Sequence, residues 1–294
     1  MQLYLHDHFA EPKEALVSLL DLGLLRGYGV FDYLRTYARR PFHLQEHLER
    51  LAFSCKEVSL PLPYSLQHIE EILLELIARS EMSSLELGLK ILITGGVSED
   101  SLRSSKQTSF FAWSLPLTLQ DHSLYDKGII VYTTRAQRIL PHCKTTHYLE
   151  AILTLQKHPH ASEVLYINAQ DEIQEGATSN FFAIKQGTLI TPPARGILLG
   201  ITREVLLHIA PLPIEIRPIH YSELSTIDEA FVSSSTKELL PISYIDDKPI
   251  GSGLTGPITK NLMQHFQSYT KQEHWSYFPI CRHKNDNSSI LIDK

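Results

Sequence analysis

The chain has 294 residues, 43% hydrophobic and 20% charged, ordinary values for a folded globular protein that exclude a disordered, collagen-like or coiled-coil chain. Its 27 Lys and Arg against 33 Asp and Glu leave a net charge of −6 at pH 7, so no overall basic field is available to hold nucleic acid. At about 150 residues per domain, the length accommodates two domains or one large barrel.

The amino terminus, Met1-Gln-Leu-Tyr-Leu-His-Asp7, has neither the basic segment nor the apolar run of a secretion signal. No apolar stretch approaches the roughly 18 residues of a membrane span. Residues 29–37, Gly-Val-Phe-Asp-Tyr-Leu-Arg-Thr-Tyr, alternate and predict a strand. Leu44, Leu48 and Leu51 form one helical stripe, and Ile69 to Ile77 a second. Residues 87–94 read as a strand ending at Gly95-Gly96, and Phe110-Phe-Ala-Trp113 follows. This order predicts a small α+β domain over 1–114. Periodicity fails over 115–126, the expected linker, and a larger domain is expected over 127–274, with a polar tail at 275–294. Within the larger domain, 164–168 with 172–175 and 181–184 with 188–191 predict two hairpins, and helix signals follow Lys144, Thr202 and Pro257. Cys55, Cys143 and Cys281 are odd in number and widely separated, which fits a reducing cytoplasm better than a disulfide framework. The 15 histidines lack the spacing of a metal site, so no metal is expected.

Three segments carry possible chemistry. Lys144, in His142-Cys-Lys-Thr-Thr-His-Tyr-Leu-Glu150, reads either as a solvated surface charge or as a partly desolvated Schiff-base lysine. Glu175-Gly-Ala-Thr-Ser-Asn-Phe-Phe182 reads as a hairpin end, with Asn180 making a local side-chain bond, or as a site carboxylate. Gly196-Ile-Leu-Leu-Gly-Ile-Thr-Arg203 opens a helix whose first N–H groups, with the Thr202 hydroxyl, can cup a phosphate or merely bind water.

In this order, together with Gly27-Tyr-Gly-Val-Phe-Asp-x-x-Arg-Thr-Tyr37, His47-Leu-Glu-Arg50-Leu and Asp228-Glu-Ala-Phe-Val-Ser-Ser-Ser-Thr-Lys-Glu-Leu-Leu-Pro241, the segments resemble the class IV aminotransferases. These fold-type IV pyridoxal-phosphate enzymes include branched-chain and D-amino acid aminotransferases and aminodeoxychorismate lyases. The resemblance implies an α+β fold of a small amino-terminal α+β domain and a larger, strand-rich, barrel-like carboxy-terminal domain, a pyridoxal 5'-phosphate cofactor, and a homodimer. It implies that Lys144 carries the cofactor and moves a proton at the substrate Cα, and that Glu175 faces the pyridine nitrogen. Arg50, Ile201 and Thr202, with Ser235 or Thr236, would hold the phosphate. Leu198 would lie under the ring, Tyr148 near its hydroxyl, and Asn180 beside the cofactor. Arg50 has a second reading, as an i, i+4 partner of Glu46. His147 departs from the Asn that many relatives carry before the tyrosine.

Substrate identity rests on fewer residues. The Arg-x-His element of familiar D-amino acid enzymes is absent from Thr94-Gly-Gly-Val-Ser-Glu-Asp-Ser-Leu-Arg-Ser104, and the branched-chain pattern is broken by Leu25-Arg26 and Thr236-Lys237. Arg26, Lys90 and Lys237 are therefore candidate carboxylate cations, with Phe31 as a further substrate contact; the competing reading for each lysine and arginine is solvated surface. Two cations would favour 2-oxoglutarate and glutamate with a small amino acid such as D-alanine as amino donor. A D-amino acid transaminase is the favoured expectation; branched-chain activity and then the lyase are the alternatives.

Overall fold

The computed structural model describes residues 1–81, 86–104, 107–279 and 290–292, the last as backbone only. Cys281 and most of the expected tail lie outside the described residues. Two compact units emerge: Met1–Thr118 with Cys143–His147, and Leu119–His142 with Tyr148–Phe278.

The first unit contains β1 (Gln2–Leu5), β2 (His8–Ala10), α1 (Leu22–Arg26), β3 (Gly29–Tyr37), β4 (Arg40–Pro41), α2 (Leu44–Glu57), α3 (Leu66–Arg79), β5 (Leu87–Thr94) and β6 (Ser109–Pro116). Its sheet runs β2-β1-β6-β5-β3-β4 and is antiparallel throughout. Alternation along β3 buries Val30, Asp32 and Leu34 on one face. Val30 and Leu34, with Leu89, Ile91 and Ile93 of β5, join one apolar cluster with Leu48 and Leu51 of α2 and Ile69 and Leu73 of α3. The Ser65 hydroxyl caps α3 by accepting the His68 N–H. The other face carries a row in register, Tyr33 beside Lys90 and Lys90 beside Trp113.

The second unit contains α4 (Ser123–Lys127), β7 (Ile129–Thr134), α5 (Leu149–Lys157), β8 (Glu163–Ile167), β9 (Glu172–Gly176), β10 (Ser179–Lys185), β11 (Thr188–Thr191), α6 (Ile201–Ile209), β12 (Ile214–Ile216), β13 (Ile219–His220), β14 (Glu229–Ser234), β15 (Glu238–Ile245), β16 (Lys248–Pro249), α7 (Pro257–Thr270) and β17 (Ile290–Ile292). Strands β9, β8, β7, β15, β14 and β10 pair in turn, and β10 returns to β9, closing a six-stranded barrel within the larger sheet. Closure leaves these strands no open edge, and Val131, Leu165, Phe181, Val232 and Leu240 belong to the core cluster of this unit. This is the α+β architecture expected, and both hairpins form. No helix of the described residues is long and apolar enough to cross a membrane.

Three details add to the sequence reading. The boundary between the units, after Thr118, falls within the expected linker 115–126, with strand β6 running to Pro116 and Ser123–Lys127 helical. Cys143–His147 groups with the first unit, because its backbone is zipped onto the start of β3. The helix expected after Lys144 begins at Leu149, and its apolar residues Leu149, Ile152 and Leu153 are 66%, 50% and 42% exposed; only Ala151 is buried.

Leu73 is wholly buried in the first unit's core whereas its neighbour Leu74 is 45% exposed. Leu73→Ala should cost about 2–5 kcal/mol through lost burial and a residual cavity, and Leu74→Ala less than about 0.5 kcal/mol. Denaturant titration of the two variants checks the contrast.

Candidate active site

In the first unit, Lys144 is placed by main-chain bonds. Its carbonyl accepts the Phe31 N–H at 2.9 Å, its own N–H donates to Ser54 Oγ at 3.1 Å, and Thr145 bridges to Val30. The Thr146 hydroxyl donates to the Gly27 carbonyl at 2.8 Å, and His147 Nε2 lies 2.9 Å from the same oxygen. Gly27 makes this close approach as the left-handed cap of α1, with φ of 64°. Lys144 is half-buried, with Nζ 4.8 Å from the Phe31 ring centroid.

Lys90 reaches the same ring, its Nζ 5.0 Å from the Phe31 centroid and 5.5 Å from that of Trp113. Burial holds the Lys90 ammonium below the usual lysine pKa. No carboxylate pairs with it among the described residues. Arg26 differs: it is exposed in the last turn of α1, and its Nη1 donates to the Leu25 carbonyl.

Arg50 is buried on α2, donating from Nε and Nη2 to the two oxygens of Asp32 at 2.9 and 2.8 Å. Glu46, its suggested helical partner, is met by His43 Nδ1 at 2.7 Å. His47 Nδ1 lies 2.6 Å from Asp32 Oδ1. Burial alone would raise the Asp32 pKa, but the Arg50 charge and His47 hold it well below the usual carboxylate range. Burial pushes His47 down to about 4, and its buried Nε2 has no partner. The imidazole is therefore neutral at pH 7, since a charged ring would strand a buried N–H donor.

In the second unit, Glu175 is buried at the end of β9. Its Oε1 accepts from Arg138 Nη1 at 3.0 Å and its Oε2 from the Leu198 N–H at 2.9 Å. Burial alone would depress the Arg138 pKa, but Glu175 carries it above the usual arginine value. Asn180, directly opposite Glu175 on β10, donates to the Leu198 carbonyl at 2.7 Å. That bond spans 18 residues, unlike the local bond of the hairpin-end reading. Tyr148 precedes α5, and burial pushes its phenol up to about 12.

The Leu198 segment leads to Gly200, where a Cβ would stand 1.9 Å from Asn180 Oδ1. A side chain is excluded there, so the chain approaches closely and α6 begins with no side-chain cap on its first N–H groups. Ile201 and Thr202 are both buried at that opening. Ser235 and Thr236 lie in the half-buried connection from β14 to β15, with Thr236 Oγ1 3.2 Å from Ser234 Oγ.

Lys237, the third candidate cation, lies in the second unit. It is buried, and its ammonium donates to Glu163 and, at 2.6 Å, to Thr178 Oγ1. Sequence reasoning also overlooked Asp32, His47 and Arg138. The first was detectable, since Asp32 falls in phase with the core residues Val30 and Leu34. Arg138 left no signal, because its partner is 37 residues away along the chain.

The folded state excludes a proton from His47 that the unfolded chain accepts below its ordinary pKa of 6.5. The stability this provides is present above pH 6.5 and is lost as pH falls toward 4. Asp32 stays ionised in both states across most of this window. His47→Gln should flatten the pH dependence of unfolding free energy between those limits; an unchanged slope would show that His47 is charged in the native protein.

A family model described as amino-transferase class IV matches residues 29–245. A putative branched-chain-amino-acid aminotransferase of Methanocaldococcus jannaschii is 30% identical over 91% of this chain and 96% of its own length. A D-alanine aminotransferase of Staphylococcus aureus is 31% identical over 91% of this chain and 97% of its own. Among solved structures, the branched-chain aminotransferase of Thermoproteus uzoniensis superposes with a TM-score of 0.84 at 28% identity, covering 95% of this chain and 98% of that one. The Escherichia coli branched-chain aminotransferase gives 0.86 at 23% identity, with 94% and 97% covered, a likeness of fold.

Proposed function

This chain belongs to the class IV aminotransferases, and on that premise we propose that it uses pyridoxal 5'-phosphate to move an amino group from a D-amino acid, such as D-alanine or D-glutamate, to a 2-oxo acid such as 2-oxoglutarate. The residues suit the cofactor: a half-buried lysine, a buried carboxylate held by a guanidinium, and a helix start whose N–H groups no side chain caps. When bound, the cofactor supplies an electron sink for the carbanion formed at the substrate Cα.

Lys144 attaches the cofactor through Nζ and moves the Cα proton. Glu175, oriented by Arg138 and the Leu198 N–H, keeps the pyridine nitrogen protonated. The Ile201 and Thr202 N–H groups and the Thr202 hydroxyl hold the phosphate, with Arg50 and the Ser235 and Thr236 hydroxyls. Leu198 and Tyr148 would line the place of the ring, and Asn180 holds the Leu198 carbonyl.

One observation carries the substrate reading: the Lys90 ammonium lies over the Phe31 ring that Lys144 Nζ also overlies. A half-buried cation that shares an aromatic ring with the Lys144 amine is suited to a substrate carboxylate, which favours dicarboxylic partners. Arg26 supplies a second, more exposed cation. The Phe31 and Trp113 rings favour a second reading, a branched-chain substrate whose side chain packs on them. The bare α5 side chains Leu149, Ile152 and Leu153 suit burial by a second copy, so the active form is a homodimer. Its place is the cytoplasm, where Cys55 and Cys143 persist as thiols.

Borohydride reduction of the yellow holoprotein should fix the cofactor on Lys144, as peptide mapping would reveal; labelling of another lysine removes the mechanism. Glu175→Gln should retain cofactor and lose turnover by about 100-fold or more, because the ring nitrogen is no longer held protonated. Half-reactions with D-alanine, D-glutamate, L-leucine and L-glutamate, followed by loss of the visible band, decide the donor. Bleaching by L-leucine alone selects the branched-chain reading, and Lys90→Met should weaken D-glutamate more than D-alanine.

A further inference from the structure

We propose that the buried Lys237–Glu163 ion pair is a positioning clamp that sets the hydroxyls of residues 234–236 for an anion; this rests on the reading above, in which that segment helps to hold the cofactor phosphate. Lys237 and Glu163 are 9% and 2% exposed. Glu163, at the start of β8, takes the Lys237 ammonium, the Thr178 hydroxyl at 2.7 Å and the Ser179 hydroxyl at 2.9 Å on Oε2, while Oε1 accepts the Val164 N–H at 3.0 Å. Thr178 and Ser179 follow Glu175 by three and four residues, Thr178 in the turn from β9 to β10 and Ser179 at the start of β10. Lys237 ends the connection from β14 to β15. One buried carboxylate therefore ties together the two connections that flank the proposed acid and the proposed phosphate hydroxyls.

The Lys237 connection is fixed through its main chain as well. The Lys237 N–H donates to Ser234 Oγ at 3.3 Å, and its carbonyl accepts the Tyr125 hydroxyl at 3.0 Å. Ser234 Oγ in turn lies 3.2 Å from Thr236 Oγ1. A hairpin connection needs no such apparatus to form. Burying two ions costs several kcal/mol apiece, and an apolar pair of similar volume commonly stabilises a fold as well or better. What the ion pair adds is direction: a carboxylate with four donors around it has one orientation, and so does the ammonium it holds. Glu163 is accordingly held below the usual carboxylate pKa, burial opposing and Lys237 prevailing.

The test compares affinities for pyridoxal phosphate and for pyridoxal, which lacks the phosphate, in stripped and reloaded full-length protein. Wild type should prefer the phosphate form strongly. Lys237→Met should weaken pyridoxal phosphate by about tenfold or more while pyridoxal changes by less than about threefold. Because Lys237→Met leaves Glu163 unpaired and can impair folding, the double variant E163L/K237M serves as the second arm. It should recover the thermal midpoint yet still lack the phosphate preference. A double variant with wild-type preference would make the pair a mere filler of the fold and overturn the clamp alone. A wild-type protein that binds neither compound would overturn the functional reading and the clamp with it.

Discussion

A buried carboxylate must be answered by a cation or by a full set of donors, and Asp32, Glu175 and Glu163 are three of the described carboxylates that meet this requirement. Asp32 is forked by Arg50, Glu175 by Arg138 with the Leu198 amide, and Glu163 by Lys237 with two hydroxyls. Leaving any of them unpaired would cost about 3–5 kcal/mol. Each pairing joins segments distant in sequence, so the satisfaction of charge and the placement of functional groups are one event.

The first unit shows how a strand serves both ends at once. One face of β3 sends Val30 and Leu34 into the core and Asp32 to Arg50 on α2. The other face presents Phe31 to the amines of Lys144 and Lys90. A one-residue slip of register would exchange the faces, burying the aromatic platform and exposing the acid. The apolar core thus fixes the surroundings of Lys144.

In the second unit the closed barrel supplies the rigidity. Glu175 and Asn180 face each other across a β9–β10 pair, and both grip Leu198, whose segment delivers the opening of α6. Gly200 lets the chain pass over Asn180. The uncapped N–H groups of α6 are a consequence of that path.

Much of this was legible in the residues: the alternation of β3 and β5, the stripes of α2 and α3, both hairpins, and the ordered motifs around Lys144, Glu175 and Thr202. These signals are local, because side-chain period and turn chemistry are set within a few residues. Arg138 beside Glu175, the capture of Lys237 by Glu163, the long reach of Asn180 and the attachment of Cys143–His147 to β3 were decided only on folding. The sequence by itself determined which groups were available and which elements would carry them. The tertiary structure decided which charges meet, since a lysine in a loop looks alike whether it ends in solvent or in an ion pair with an acid 74 residues away.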